Sequence, residues 1–157
     1  MIPGFSYRKK FSDLSEKEIL ALAISSEEDD ASIYRNYAEH LKKDYPDSSK
    51  IFLDMAKVED GHRKVLINKF QSRFGDNIPL IRREHVSGFY ARKPTWLIKN
   101  LSVDRIRLES EMMERDAYNF YMKAAQATTD AGTRKLLGDL AAAEAGHTTV
   151  VDKLIES

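Results

Sequence analysis

Two short stretches, Val58 to Leu66 (VEDGHRKVL) and Ala143 to Val151 (AEAGHTTVV), carry the same group: a glutamate, a spacer, a glycine and a histidine. Residues three apart share one face of a helix, so Glu59 with His62, and Glu144 with His147, can each aim an oxygen and a nitrogen at one point. With four His and twelve Glu in 157 residues, chance supplies about 0.3 Glu-x-x-His matches, and the chain has two. Each is preceded by another inward-facing glutamate, Glu27 lying 32 residues before Glu59 and Glu114 lying 30 before Glu144. Four carboxylates and two imidazoles make a dinuclear metal-ligand set. Oxygen-rich ligation with one nitrogen per metal suits iron or manganese, and zinc binds the same groups. Such a centre leaves coordination positions open to O2 or H2O2.

The stripes holding these residues should otherwise be apolar. Burying ionised carboxylates without compensation is prohibitive, and no Lys or Arg falls on the inner stripes, so bound cations are expected to balance the charge. Tyr34 and Tyr121 lie seven residues beyond Glu27 and Glu114; hydrogen bonds to ligand carboxylates, electron transfer and plain core packing all remain open for them. Glu111, one turn before Glu114, is either a seventh, mobile carboxylate or a bystander. Glu28, Asp29, Asp30, Asp116, His40 and His85 are read as surface residues, Met112 and Met113 as core, and Trp96 as packing for a connector. Gly61 and Gly146 each cost about 1 kcal/mol against alanine in mid-helix. They are expected to let a neighbouring segment approach the imidazole, or to leave room for a partner to its second nitrogen.

The elements that must position this set are helices, because apolar residues recur at three and four along most of the chain. A first helix, about 15–43, opens at Ser15 with Glu18 three later and carries Leu20, Ile24, Glu27, Ala31, Tyr34, Ala38 and Leu41 inward. A second, about 48–73, carries Phe52, Met55, Glu59, His62 and Leu66. A third, about 102–128, carries Ser110, Glu114, Ala117, Tyr121 and Ala124. A fourth, about 130–155, carries Leu136, Leu140, Glu144, His147, Val151 and Leu154. Short connectors make two antiparallel helical hairpins, and the aperiodic stretch of about 75–101, with two of the four prolines, makes a long crossover. The expected fold is all-α, a four-helix bundle whose halves repeat one hairpin, in a single domain spanning 1–157.

Composition narrows the function. There is no cysteine, which excludes a rubredoxin-type or iron–sulfur centre within this chain. Lys plus Arg balance Asp plus Glu at 25 each, so no net field draws nucleic acid or an anionic membrane. The N-terminus lacks a signal-peptide core, and no run of about 18 apolar residues is present to span a bilayer.

These residues resemble the ferritin-like superfamily and, within it, the rubrerythrin branch. The stretches FSDLSEKEILALAISSEEDDASIY, REHVSGFYARKPTWL and RDAYNFYMKAA, with RKLLGDLAAAEAGH, are closer still to the ferritin-like domain called erythrin. That domain stands at the N-terminus of bacterial membrane-bound ferritin A, fused to a vacuolar-iron-transporter-like membrane domain. The resemblance runs from Phe11 over almost the whole chain. It implies a di-iron site on Glu27, Glu59, His62, Glu114, Glu144 and His147, with Glu111 at the position of the extra glutamate of rubrerythrins. It further implies Fe(II) oxidation by O2 or H2O2 (ferroxidase or peroxidase chemistry) in the cytoplasm or at the cytoplasmic face of the inner membrane, feeding or gating iron export. A homodimer is expected. The transmembrane half is not in this sequence, which ends at Ser157, and the missing rubredoxin domain means that peroxidase turnover needs an external electron donor. The competing expectation is an iron-sensing domain that controls an attached transporter with little turnover.

Overall fold

The computed structural model describes residues 9–87 and 101–152, with side chains as far as residue 147. Its backbone is four long helices, three of them opened by a side chain that accepts from a free amide and one by a proline. Ser15 caps α1 (Glu16–Leu41) through a reciprocal capping box: its hydroxyl accepts from the Glu18 amide at 3.2 Å, and its own amide donates to the Glu18 carboxylate at 3.1 Å. Pro46, whose missing N–H is harmless at a first turn, starts α2 (Pro46–Phe74) two residues before the expected Ser48. Gly75, at φ 89°, ends it in a conformation other side chains rarely adopt. Ser102 caps α3 (Val103–Ala127), and Asp130 accepts from the Thr133 amide at 2.9 Å to open α4 (Ala131–Asp152).

α1 packs along α2, and α3 along α4, as two antiparallel hairpins, with α1 facing α3 and α2 facing α4 across the bundle. The fold is all-α, a four-helix bundle. One feature departs from a purely helical reading: Lys9–Lys10 (β1) pairs in parallel with Val86–Ser87 (β2), in the first part of the crossover. Two-residue strands are too short to imprint an alternating pattern. Beside them, Phe11 and Val86 are buried and extend the core outside the helices.

The apolar interior is split. One cluster, including Leu20, Ile24, Leu66, Phe70, Phe120 and Leu137, fills one end; another, including Tyr37, Leu41, Phe52, Met55, Ile106 and Met113, fills the other. Leu137 is fully buried on α4, in step with Glu144 one heptad on, while the expected Leu136 is partly buried and packs against the same cluster. Met112 is 42% exposed, contrary to the expectation of a core residue. Trp96 and the rest of the crossover beyond Ser87, together with Val151 and Leu154, lie outside the described residues.

Ser15→Ala removes one half of the capping box and leaves the Glu18 amide without its acceptor. The expected cost is about 1 kcal/mol, a fall of roughly 2–4 °C in Tm by differential scanning calorimetry.

Candidate metal centre

Between the two apolar clusters lies a layer of buried carboxylates. Glu27 (α1), Glu59 (α2), Glu114 (α3) and Glu144 (α4) are each 2% exposed or less. They arrive there because each occupies the position on its stripe where the repeat calls for a large apolar side chain. His62 and His147 follow one turn after Glu59 and Glu144, and both turn Nδ1 toward the layer. His62 Nδ1 lies 3.4 Å from Glu144, 3.6 Å from Glu27 and 4.0 Å from Glu59. His147 Nδ1 lies 3.1 Å from Glu114, 3.4 Å from Glu59 and 3.5 Å from Glu144. The two rings are nearly parallel, 13° apart, with centroids separated by 6.4 Å.

Two ligand groups result: Glu27, Glu59, His62 and Glu144, and Glu59, Glu114, Glu144 and His147. Within each, the ligand atoms lie within 4.8 Å of one another. Glu59 and Glu144 belong to both groups, so the glutamates of the two Glu-x-x-His pairs are placed to bridge two cations. A donor inventory tests whether metals fit. Glu27 Oε2, both oxygens of Glu59, Glu144 Oε1 and His62 Nδ1 are buried with no hydrogen-bond partner among the described residues. Buried orphans in this number are costly, and cations at the centre of each group would satisfy them.

The outer oxygens of the layer are already held. Tyr34 donates to Glu114, and Tyr121 donates to Glu27, so each hairpin's tyrosine braces the glutamate of the other hairpin. Burial, reinforced by the carboxylates nearby, holds both phenols well above their ordinary pKa, and they remain donors.

Glu111 falls in neither group; it is partly exposed, with Arg107 3.9 Å away. Glu28 is exposed beside Arg63, and His40 and His85 are exposed. Asp30 corrects the surface reading: it is 6% exposed and pairs with Arg83, which also donates to the Ser26 carbonyl at 2.8 Å. Arg83 is the interior cation missed on the helix stripes, because it comes from the crossover, where no period marks it. Asp30 had a signal, its spacing of three from Glu27. Among the described residues no neighbouring helix makes the expected close approach at Gly61 or Gly146: both are exposed, and a Cβ on either would meet no described atom within 4 Å, while the crossover beyond Ser87 lies outside the described residues.

An all-α bundle with a buried pair of carboxylate–histidine groups defines the class of ferritin-like dimetal proteins. The chain belongs to the rubrerythrin family, whose model matches residues 18–155. That family typically binds a di-iron centre. The fold is also that of a hypothetical protein from Pyrococcus furiosus, 22% identical, with a TM-score of 0.71 over 93% of this chain and 94% of that one. No curated protein matches the chain significantly.

Without metal the layer must hold protons. Burial opposes charge on His62, but contacts with Glu144 and Glu27 outweigh it and raise its pKa from 6.5 to about 9. For His147, contacts with Glu114 and Glu144 likewise overcome burial and raise it to about 10. Burial lifts Glu114 to about 8 and drives Glu59 far up, with neighbouring carboxylates adding to the Glu59 shift. Glu144 is depressed: the two imidazoles beside it overcome its burial.

The signs follow from which state binds protons more tightly. The histidine contribution to metal-free stability is complete below pH 6.5 and disappears as pH rises through 9 to 10. The raised carboxyls penalise the fold as pH rises above their ordinary 4.5, through about 8 for Glu114. Only the Glu144 contribution is lost toward acid, below its ordinary 4.5. Thermal melts of metal-free protein should therefore show Tm falling from pH 6.5 to 9. Because metal displaces these protons, the rise in Tm on adding Co(II) should grow over the same range. A metal-free Tm that climbs with pH would contradict the proton-filled site.

Proposed function

We propose that the protein is a di-iron carboxylate protein that binds two Fe(II) and oxidises them with O2 or H2O2. The observation that carries this is the pair of ligand groups sharing Glu59 and Glu144, with orphaned buried oxygens in both. Glu27, Glu59, His62, Glu114, Glu144 and His147 are the ligands in this reading, and manganese or zinc are substitutes. Two iron ions held there supply paired one-electron changes, which suit reduction of O2 or H2O2.

The chain's own residues do the rest. The four carboxylates keep a pair of cations charge-compensated when their charge increases. Tyr34 and Tyr121 fix the orientation of Glu114 and Glu27. The apolar clusters on either side keep bulk water from the layer. To reach a metal as a seventh ligand, Glu111 must leave Arg107 and swing inward from its present place.

The setting belongs to the same proposal: a cytoplasmic homodimer attached to a membrane iron transporter. The erythrin resemblance supports the attachment. Pairing is supported by exposed Leu108, Met112, Tyr118 and Met122 on α3, apolar groups that a partner would cover. No helix among the described residues is long and apolar enough to cross a membrane.

Anaerobic Fe(II) titration followed by stopped-flow mixing with O2, and separately with H2O2, tests the function. Two irons per chain and rapid ferric absorbance are expected, with Glu59→Ala and Glu144→Ala each losing affinity by at least about tenfold, since each removes a shared ligand. Reversible binding with no oxidation by either oxidant would replace the oxidase with an iron-sensing domain.

A further inference from the structure

The metal layer is approached from two sides of unlike character. Between α1 and α3 a pocket of about 250 Å³ opens, and two of the residues lining it are Glu27 and Tyr121, which are hydrogen-bonded to each other. Its other walls are mixed, with apolar Ala117 and Phe120 beside charged groups of both signs. Asp30 is neutralised by Arg83, while Asp116 and Lys123 contribute one charge of each sign and Ser26 and Asn119 none. Lys123 Nζ stands 4.7 Å over the Phe11 ring. A divalent cation entering here meets the Lys123 ammonium and the Arg83–Asp30 pair as well as the Asp116 carboxylate. A small neutral molecule meets hydrogen-bonding groups and no opposing field.

The other side, between α2 and α4, is where the histidines come nearest to solvent. Their side chains are 14% exposed, against 3% for Glu27 and 1% for Glu59 and Glu144. Gly61 and Gly146 stand beside the imidazoles, and among the described residues nothing lies within 4 Å of where a Cβ would be. Cations can reach ligand side chains there without passing Arg83 or Lys123.

We propose that the α1–α3 pocket is the entrance for the neutral oxidant, dioxygen or hydrogen peroxide, and that metal ions load separately, past His62 and His147. The assignment rests on the di-iron reading above. It gives the glycines a role that packing does not: they keep the metal route clear.

The test uses the absence of cysteine in the chain. Ala117→Cys places a single thiol in the pocket wall, which a benzyl thiosulfonate caps and a reductant releases, so loss of folding is distinguishable from blockage. Three rates are read: nitric oxide binding to the anaerobic Fe(II)-loaded protein, oxidation by H2O2, and Co(II) uptake by the metal-free protein. Capping should slow nitric oxide entry and oxidation by at least about tenfold, and uncapping should restore both. Co(II) uptake should keep its rate and reach two per chain. Gly61→Leu with Gly146→Leu should do the converse, slowing Co(II) and sparing nitric oxide. Unchanged nitric oxide entry in the capped protein would overturn the port, and parallel slowing of Co(II) would overturn the two routes. Nitric oxide entry that depends on the cap, in a protein that H2O2 and O2 never oxidise, would sink the proposed oxidase and leave the port standing.

Discussion

Four glutamates buried in one layer of a small helical bundle are the constraint around which the rest of the molecule is arranged. Each sits on the inner stripe of a different helix, at 2% exposure or less, where a leucine would have been cheaper. An apolar core of this size would fold without them. Their presence dictates what surrounds them: two imidazoles on the layer, two phenols donating into it, and a buried Asp30–Arg83 pair beside it. The apolar side chains are displaced into two clusters, one on each side. Stability comes from these ends, and the middle of the bundle is kept for chemistry.

The layer has the symmetry of the sequence repeat. Glu27 and Glu114 each hold a tyrosine seven residues on, and each tyrosine crosses to the other hairpin's glutamate. The crossing ties the halves together at the one level where like charges would push them apart. Histidines enter from α2 and α4, tyrosines from α1 and α3, so the layer has an imidazole face and a phenol face. Two equivalent ligand groups sharing two carboxylates are the direct consequence of repeating one hairpin about an axis through the layer.

Much of this was legible from spacing. Glu-x-x-His twice, each with an upstream glutamate, names six side chains that the fold brings together, and the capping box at Ser15 with Glu18 marks where α1 begins. Periodicity carries such information because a helix converts sequence interval into direction. It fails where direction is set otherwise. Arg83 reaches the interior from a three-residue turn, and its partner Asp30 looked like one more acid in the run EEDD. The β1–β2 pair joins residues 77 apart with two-residue strands, below any pattern's reach. Leu136 and Leu137 are adjacent leucines, and only the register imposed by Glu144 chooses which is fully buried.

Gly61 and Gly146 show why an oddity in sequence needs the structure to explain it. A mid-helix glycine usually signals close approach, and here no described residue comes near. What distinguishes the two positions is the residue each precedes, a histidine whose Nδ1 is committed to the carboxylate layer while its ring keeps 14% of its surface outside. A side chain at either glycine would stand beside that exposed edge. Access thus varies across the bundle: Glu27 is reached through a walled pocket, and the imidazoles stand beside two exposed glycines. The difference arises because the ligands are covered by different means, the carboxylates by phenols on one side, while the imidazoles keep a partly exposed edge on the other.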